Sequence, residues 1–183
     1  MDALHVNHLG AILSGFGLRI AVLTLAMLGA CATSACTKPP PGPPGTERVV
    51  IRGKTFHLTP AIDPGAREKG LGGVTEIPPD GGMIFAFTST RTLSFVMRDC
   101  TIPIDVAFLT ENGTVLSWHA MVPEAPQQLG EEQIAYEIRL KKYSSGYPAR
   151  FAVEVAGGTF GQLGLTVGDR IEFDVQGLKA RVR

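Results

Sequence analysis

Beyond residue 46, no stretch longer than about ten residues keeps a clean helical period, and turn residues interrupt the apolar runs every few positions. The 22 glycines and 13 prolines of the 183-residue chain supply that punctuation. A helical bundle needs long amphipathic stripes. This sequence offers strand-length runs instead. Residues 47–52 (ERVVIR) and 54–59 (KTFHLT) flank Gly53 as a hairpin. Residues 83–88 (MIFAFT), 92–98 (TLSFVMR) and 104–109 (IDVAFL) read as further strands, and Asn112-Gly113 is a hairpin signal leading into 114–121 (TVLSWHAM). Residues 136–140 (YEIRL), 149–156 (ARFAVEVA) and 169–175 (DRIEFDV) complete the strand set. Helix signals are few. Asp63-Pro64 caps and opens a short helix that Gly70 ends, and 159–165 (TFGQLGL) makes a helical turn or two at most. Residues 72–82 and 123–132 are turn and loop. The expected fold is mainly β: a compact β-sandwich or barrel-like single domain with one or two short helices, its edges closed or covered.

The N-terminus reads as an address. Residues 20–30 (IAVLTLAMLGA) follow Arg19 and are too short to span a bilayer, which takes about 20 residues. They have the length of a signal-peptide apolar region. Asp2 and the long stretch before Arg19 leave open a start codon further in. Leu28-Gly29-Ala30-Cys31 resembles the lipobox of bacterial lipoproteins, with Cys31 as the residue that carries acyl chains after cleavage. More than one chain is needed for stable anchoring. The alternative is an ordinary secretory signal cut near Ala35. Ala32, where Asp does not follow the cysteine, resembles lipoproteins sent on to the outer membrane. Residues 37–46 (TKPPPGPPGT) form a Pro/Gly linker that holds a domain off a surface. The organisation is therefore 1–30 signal, 31–46 anchor and linker, and 47–183 folded domain, lipid-anchored in the envelope and facing the periplasm.

Seventeen basic and seventeen acidic residues balance to zero net charge, which argues against nucleic acid as a partner. The basic end at 179–183 reads as a solvated terminus. There is no phosphate-binding glycine loop, no dinucleotide fingerprint and no zinc-protease helix motif, and no cofactor or metal is expected. Cys31 and Cys36 precede the domain, leaving Cys100 as its one thiol, more readily an inert buried residue than a nucleophile. Trp118 and His119 are adjacent on a strand and point to opposite faces, and His119 has no ligand-spaced partner. Residues 143–148 (YSSGYP) suggest a flexible lip whose serines lack a visible base.

Charges inside the apolar run 95–109 (FVMRDCTIPIDVAFL) pose the functional question. A charge buried alone is costly, so such residues need partners. In one reading Arg98 pairs with Asp105 across a hairpin and Asp99 holds the turn through its own backbone. In the other, Arg98, Asp105 and Glu154 surround one small-residue hollow and orient a polar ligand. Strand alternation puts Asp105 with Ala107 and Leu109, and Glu154 with Ala152 and Ala156. The second reading requires Asp105 and Glu154 to lie on the same side of the domain.

Six blocks then read as a set: Gly70-Leu71-x-Gly73; Asp80-Gly81-Gly82-Met83-Ile84-Phe85-x-Phe87; Phe95-x-Met97-Arg98-Asp99; Ile102-Pro103-Ile104-Asp105-Val106-x-Phe108; Pro148-Ala149-Arg150 with Glu154 and Gly158; and Gly168-Asp169. In order and spacing they resemble the bacterial and archaeal domain-of-unknown-function 192 family over about residues 48–175. The resemblance implies a compact, mainly β domain with short helices and no established activity. The family's usual Trp-Met-Lys-Asn-Thr block is Val96-Met97-Arg98-Asp99-Cys100 here, and Gly72 stands where Met is frequent. Arg for Lys keeps the charge but changes hydrogen-bond geometry.

Three functions follow for weighing. The favoured one is a non-catalytic binding or interaction module, tethered at the envelope, whose partner is an envelope ligand or protein. The alternative is an envelope glycan-acting enzyme using Asp105 and Glu154 as acid and base, which needs the carboxyls roughly 5–10 Å apart. The third is a structural protein, which needs a sizeable exposed apolar patch.

Overall fold

The structure is a computed structural model and describes residues 42–183. The signal segment, Cys31 and the first part of the linker lie outside the described residues.

Six strands form one sheet in the order β1-β2-β3-β6-β4-β5. They are β1 (Glu47–Ile51), β2 (Lys54–Ala61), β3 (Met83–Phe95), β4 (Ile104–Leu109), β5 (Val115–Met121) and β6 (Tyr143–Ala156). All neighbours are antiparallel except β2 and β3. That parallel pair needs a crossover, which α1 (Pro64–Lys69) and the following loop provide. The expected α1 cap is present: the Asp63 side chain accepts from the Ala66 N–H, Pro64 opens the helix, and Gly70 leaves it at φ 51°.

Two expectations about the fold are corrected. The sheet is not closed into a barrel: β1 and β5 are its two edges and do not pair with each other. The described residues hold four helices rather than one or two, the others being α2 (Gln133–Arg139), α3 (Thr159–Leu163) and α4 (Val175–Arg181). Individual elements shift accordingly. The two strands expected at 83–88 and 92–98 are one long β3, whose pairing with β6 slips between Ala86 and Arg91. The lip at 143–148 is the start of β6. Residues 136–139 are helical, not extended. The basic terminus belongs to α4, which Asp174 caps through the Gly177 N–H and which buries Leu178.

The strand expected at 169–175 makes only single bridges. Val50 and Glu172 exchange backbone hydrogen bonds of 2.8 and 3.0 Å at one sheet edge. Val115 donates to Asp169 and Ile171 to Gly113, both at 2.9 Å, near the other edge. One short segment therefore covers part of both edges, which otherwise present unpaired backbone groups.

Strand alternation builds a core on each face. On one face Ile84, Ala86, Ala107, Leu109, Phe151 and Val153 pack against Phe160 of α3 and Leu178 of α4. On the other, Phe85, Phe87, Val106, Phe108 and Ala152 pack against Leu71, Ile77, Met97 and Cys100 from the connecting loops. The layers on both sides are helices and loops, not a second sheet.

Candidate functional site

The register of the central strands decides where the charged residues go. Val106 faces Glu154 across the β4–β6 ladder, and Asp105 faces Val155. Directly opposed residues share a face, so Asp105 and Glu154 lie on opposite faces of the sheet. The expected single hollow around Arg98, Asp105 and Glu154 is not formed. Arg98 and Glu154 come together, and Asp105 is separated from them by the sheet itself.

Asp105 is 1% exposed, and its Oδ2 accepts from the Phe160 N–H at 2.8 Å. The α3 N-cap is Gly158, which has no side chain to cap with. Asp105 supplies from β4 the carboxylate that the helix start lacks. Its work is to dock α3 onto the sheet.

Arg98 does not pair with Asp105 either. Its Nη2 donates to Glu137 Oε2 of α2 at 2.7 Å, and its Nε lies 2.6 Å from Glu137 Oε1 without hydrogen-bond alignment. Glu68 Oε1 lies 4.0 Å from its Nη1. The hydrogen bond from Arg98 holds the Glu137 carboxyl below the usual carboxylate range. Asp99 takes the left-handed conformation at φ 54°, which Asp tolerates better than most residues. Its N–H donates to the Tyr136 hydroxyl at 3.2 Å, and that hydroxyl reaches Asp99 Oδ1 at 3.4 Å. The turn closes on its own backbone, Cys100 N–H to the Met97 carbonyl at 3.3 Å, and α2 pins it from outside.

Behind that turn lies a cavity of about 290 Å³ between α1, the outer half of β3 and the 96–100 loop. Phe85, Phe87, Phe95, Leu71 and Leu93 give it apolar walls. Glu154 lines it while only 5% exposed. Glu154 Oε2 is fully buried and has no hydrogen-bond partner among the described residues. The left-handed Gly70 passes directly over it: a Cβ there would sit 3.9 Å from that oxygen and 3.6 Å from the Phe85 ring. Burial pushes the Glu154 carboxyl up to about 8, so it keeps its proton at neutral pH. Cys100 also lines the cavity, and burial, then the nearby Glu154 and Asp99, push its thiol up to about 11. A thiol so placed is a poor nucleophile. Among the described residues no three His, Cys, Asp or Glu side chains converge as a metal site, and no helix is long and apolar enough to cross a membrane.

Two cavity residues were not singled out by the sequence: Arg67 on α1 and Arg91 on β3. Their guanidinium carbons lie 5.5 and 5.0 Å from the centroid of the Phe87 ring. The sequence carried one faint signal, a charged residue between the apolar halves of 83–98. The partner of Arg98, Glu137, was hidden by the strand reading of its segment.

The pattern of the family described as an uncharacterized ACR, DUF192, matches residues 47–173. The chain belongs to this family. Four of the six blocks that carry the DUF192 resemblance contribute to the cavity, through Gly70 and Leu71, Phe85 and Phe87, Phe95 and Arg98, and Glu154. No curated protein matches the chain. Among solved structures, it is similar to a Sinorhizobium meliloti 1021 protein described provisionally as a transcription regulator, with 29% identity and a TM-score of 0.58 over 73% of this chain and 99% of that one. It shares its fold with a Novosphingobium aromaticivorans protein of unknown function, with 24% identity and a TM-score of 0.56 over 69% of this chain and 82% of the other.

Proposed function

We propose that this DUF192 domain is a non-catalytic binding module that holds a small molecule in the cavity over Glu154, tethered to the periplasmic face of the outer membrane through Cys31. One observation carries the binding reading: the Glu154 carboxyl, its Oε2 buried and unpartnered, lines a cavity with apolar walls. Leaving such a group unpaired costs about 1–3 kcal/mol. A bound molecule that hydrogen-bonds the Glu154 carboxyl offsets part of that cost. The lipobox-like 28–31 segment and the Pro/Gly linker support the tether.

The glycan-enzyme alternative loses its premise, because its two carboxyls face opposite sides of the sheet and cannot flank one bond. A regulator role at DNA, suggested by the description of the Sinorhizobium protein, finds no basic excess here. An interaction surface has its own support. Ile134 and Ile138, one turn apart on α2, are 73% and 72% exposed.

Native mass spectrometry of the full chain, extracted in mild detergent from its own envelope, tests the binding reading. The expected result is a retained small molecule of defined mass that is lost in Ser94→Trp, which fills the cavity from an exposed strand position. Wild-type chain recovered empty would refute it. Loss of membrane association in Cys31→Ala tests the tether.

A further inference from the structure

The charges around the cavity do not balance. Four cationic side chains line it: Arg67, Lys69, Arg91 and Arg98. Arg98 is committed to Glu137, and Glu68, the one other acidic residue besides Glu154 that lines the cavity, lies 4.0 Å from it. Arg67, Lys69 and Arg91 have no side-chain carboxylate within ion-pair distance among the described residues.

Arg67 is also fixed in place. Its Nη1 donates to the Ala86 carbonyl at 3.1 Å and its Nη2 to the Arg183 main-chain oxygen at 2.8 Å. These main-chain acceptors fix where the guanidinium points. Burial first, and then the neighbouring Arg91, lower its pKa. Asp63 opposes this in part. Two arginines on one phenyl ring, one held by main-chain oxygens, form a prearranged receptor for an anion.

We infer that the cavity takes a small organic carboxylate with an apolar body: its anionic end meets Arg67 and Arg91, its body lies on the phenylalanine walls, and a far oxygen pairs with Glu154. This deepens the binding reading and rests on it. The cavity, at about 290 Å³, is larger than a bare inorganic anion needs. The walls reward carbon, which phosphate or sulfate lacks. Glu154, protonated at neutral pH, offers an O–H to a ligand oxygen and adds no repulsion toward an anion.

Isothermal titration calorimetry on the full chain in detergent tests the class with three probes: 4-hydroxybenzoate, 4-hydroxybenzyl alcohol and inorganic phosphate. The expected result is saturable binding of 4-hydroxybenzoate, at least tenfold weaker binding of the other two, and a loss of about tenfold in Arg91→Gln. Arg91 is exposed, so this variant keeps the fold, checked by an unchanged melting temperature. The charge-conserving variant Arg91→Lys should recover part of the loss. If the neutral alcohol binds as tightly as the carboxylate, or Arg91→Gln binds like wild type, the carboxylate inference falls while the cavity reading stands. Phosphate binding as tightly as 4-hydroxybenzoate would remove the role of the apolar body. If neither aromatic probe binds and the chain also leaves its envelope empty, both readings fall together.

Discussion

Glu154→Gln isolates the electrostatic consequence of the cavity floor. Folding takes the Glu154 carboxyl from an ordinary value of 4.5 to about 8 by burying it. Between those two pH values the folded chain holds a proton that the unfolded chain has released. Stability must therefore fall as pH rises through this window. From pH 4.5 to 7 the window spans about two and a half pH units, and at about 1.4 kcal/mol per unit the loss reaches about 3 kcal/mol. Above about pH 8 it levels off near about 5 kcal/mol, since both states are then ionised. Glutamine keeps the shape and cannot ionise. Every other titrating group is common to both proteins, so the difference between them reports Glu154 alone. Urea denaturation of both, at pH 4.5, 7 and 9, supplies the measurement. Relative to its standing at pH 4.5, Glu154→Gln should gain about 3 kcal/mol on wild type at pH 7 and more at pH 9. A gap that stays constant across the three pH values would refute the buried, uncompensated placement of this carboxyl. A gap that moves the other way would mean the group is paired as an anion.

Three further outcomes follow from the same geometry. Asp105→Ala removes the carboxylate that caps α3 and should cost about 1–3 kcal/mol in urea denaturation, while 4-hydroxybenzoate affinity, read across the sheet, stays as in wild type. A double-mutant cycle of Arg98→Ala and Glu137→Ala should give a coupling of about 0.5–1 kcal/mol, modest because both side chains are 31% exposed, with faster amide exchange in α2 in each single variant. Cys100 should react with iodoacetamide at pH 8 far more slowly than a free peptide thiol, by about a hundredfold, and should regain ordinary reactivity in urea; equal rates in the folded and unfolded chain would contradict its burial.

Much of the sheet is legible in the sequence because short-range chemistry dictates it. Gly53 at φ 80° makes the first hairpin, and Asp63 with Pro64 and Gly70 brackets α1 within a residue. The run 104–109 is β4 with its expected ends. The misreadings have physical causes. Residues 134–140 alternate Ile, Tyr, Ile, Leu at every second position, the signature of a strand, yet the chain buries Tyr136 and Leu140 at helical spacing and leaves both isoleucines in solvent. What selects the helix is the contact of Tyr136 with Asp99, 37 residues away, which no local window contains. The face of each carboxyl is equally invisible. Alternation within β4 and within β6 follows from each strand by itself, but only the register between them, Val106 against Glu154, sets Asp105 apart from the cavity. Arg67 and Arg91 lie on different elements and meet on Phe87 only once β2, α1 and β3 have crossed over.

The stretch at 169–172 joins what the strand order keeps furthest apart. By bonding Val50 on one side and Gly113 and Val115 on the other, it works as a clasp across the open rim of the sheet. A chain shortened before residue 169 would lose both fastenings in the same event and bare two sticky borders at once.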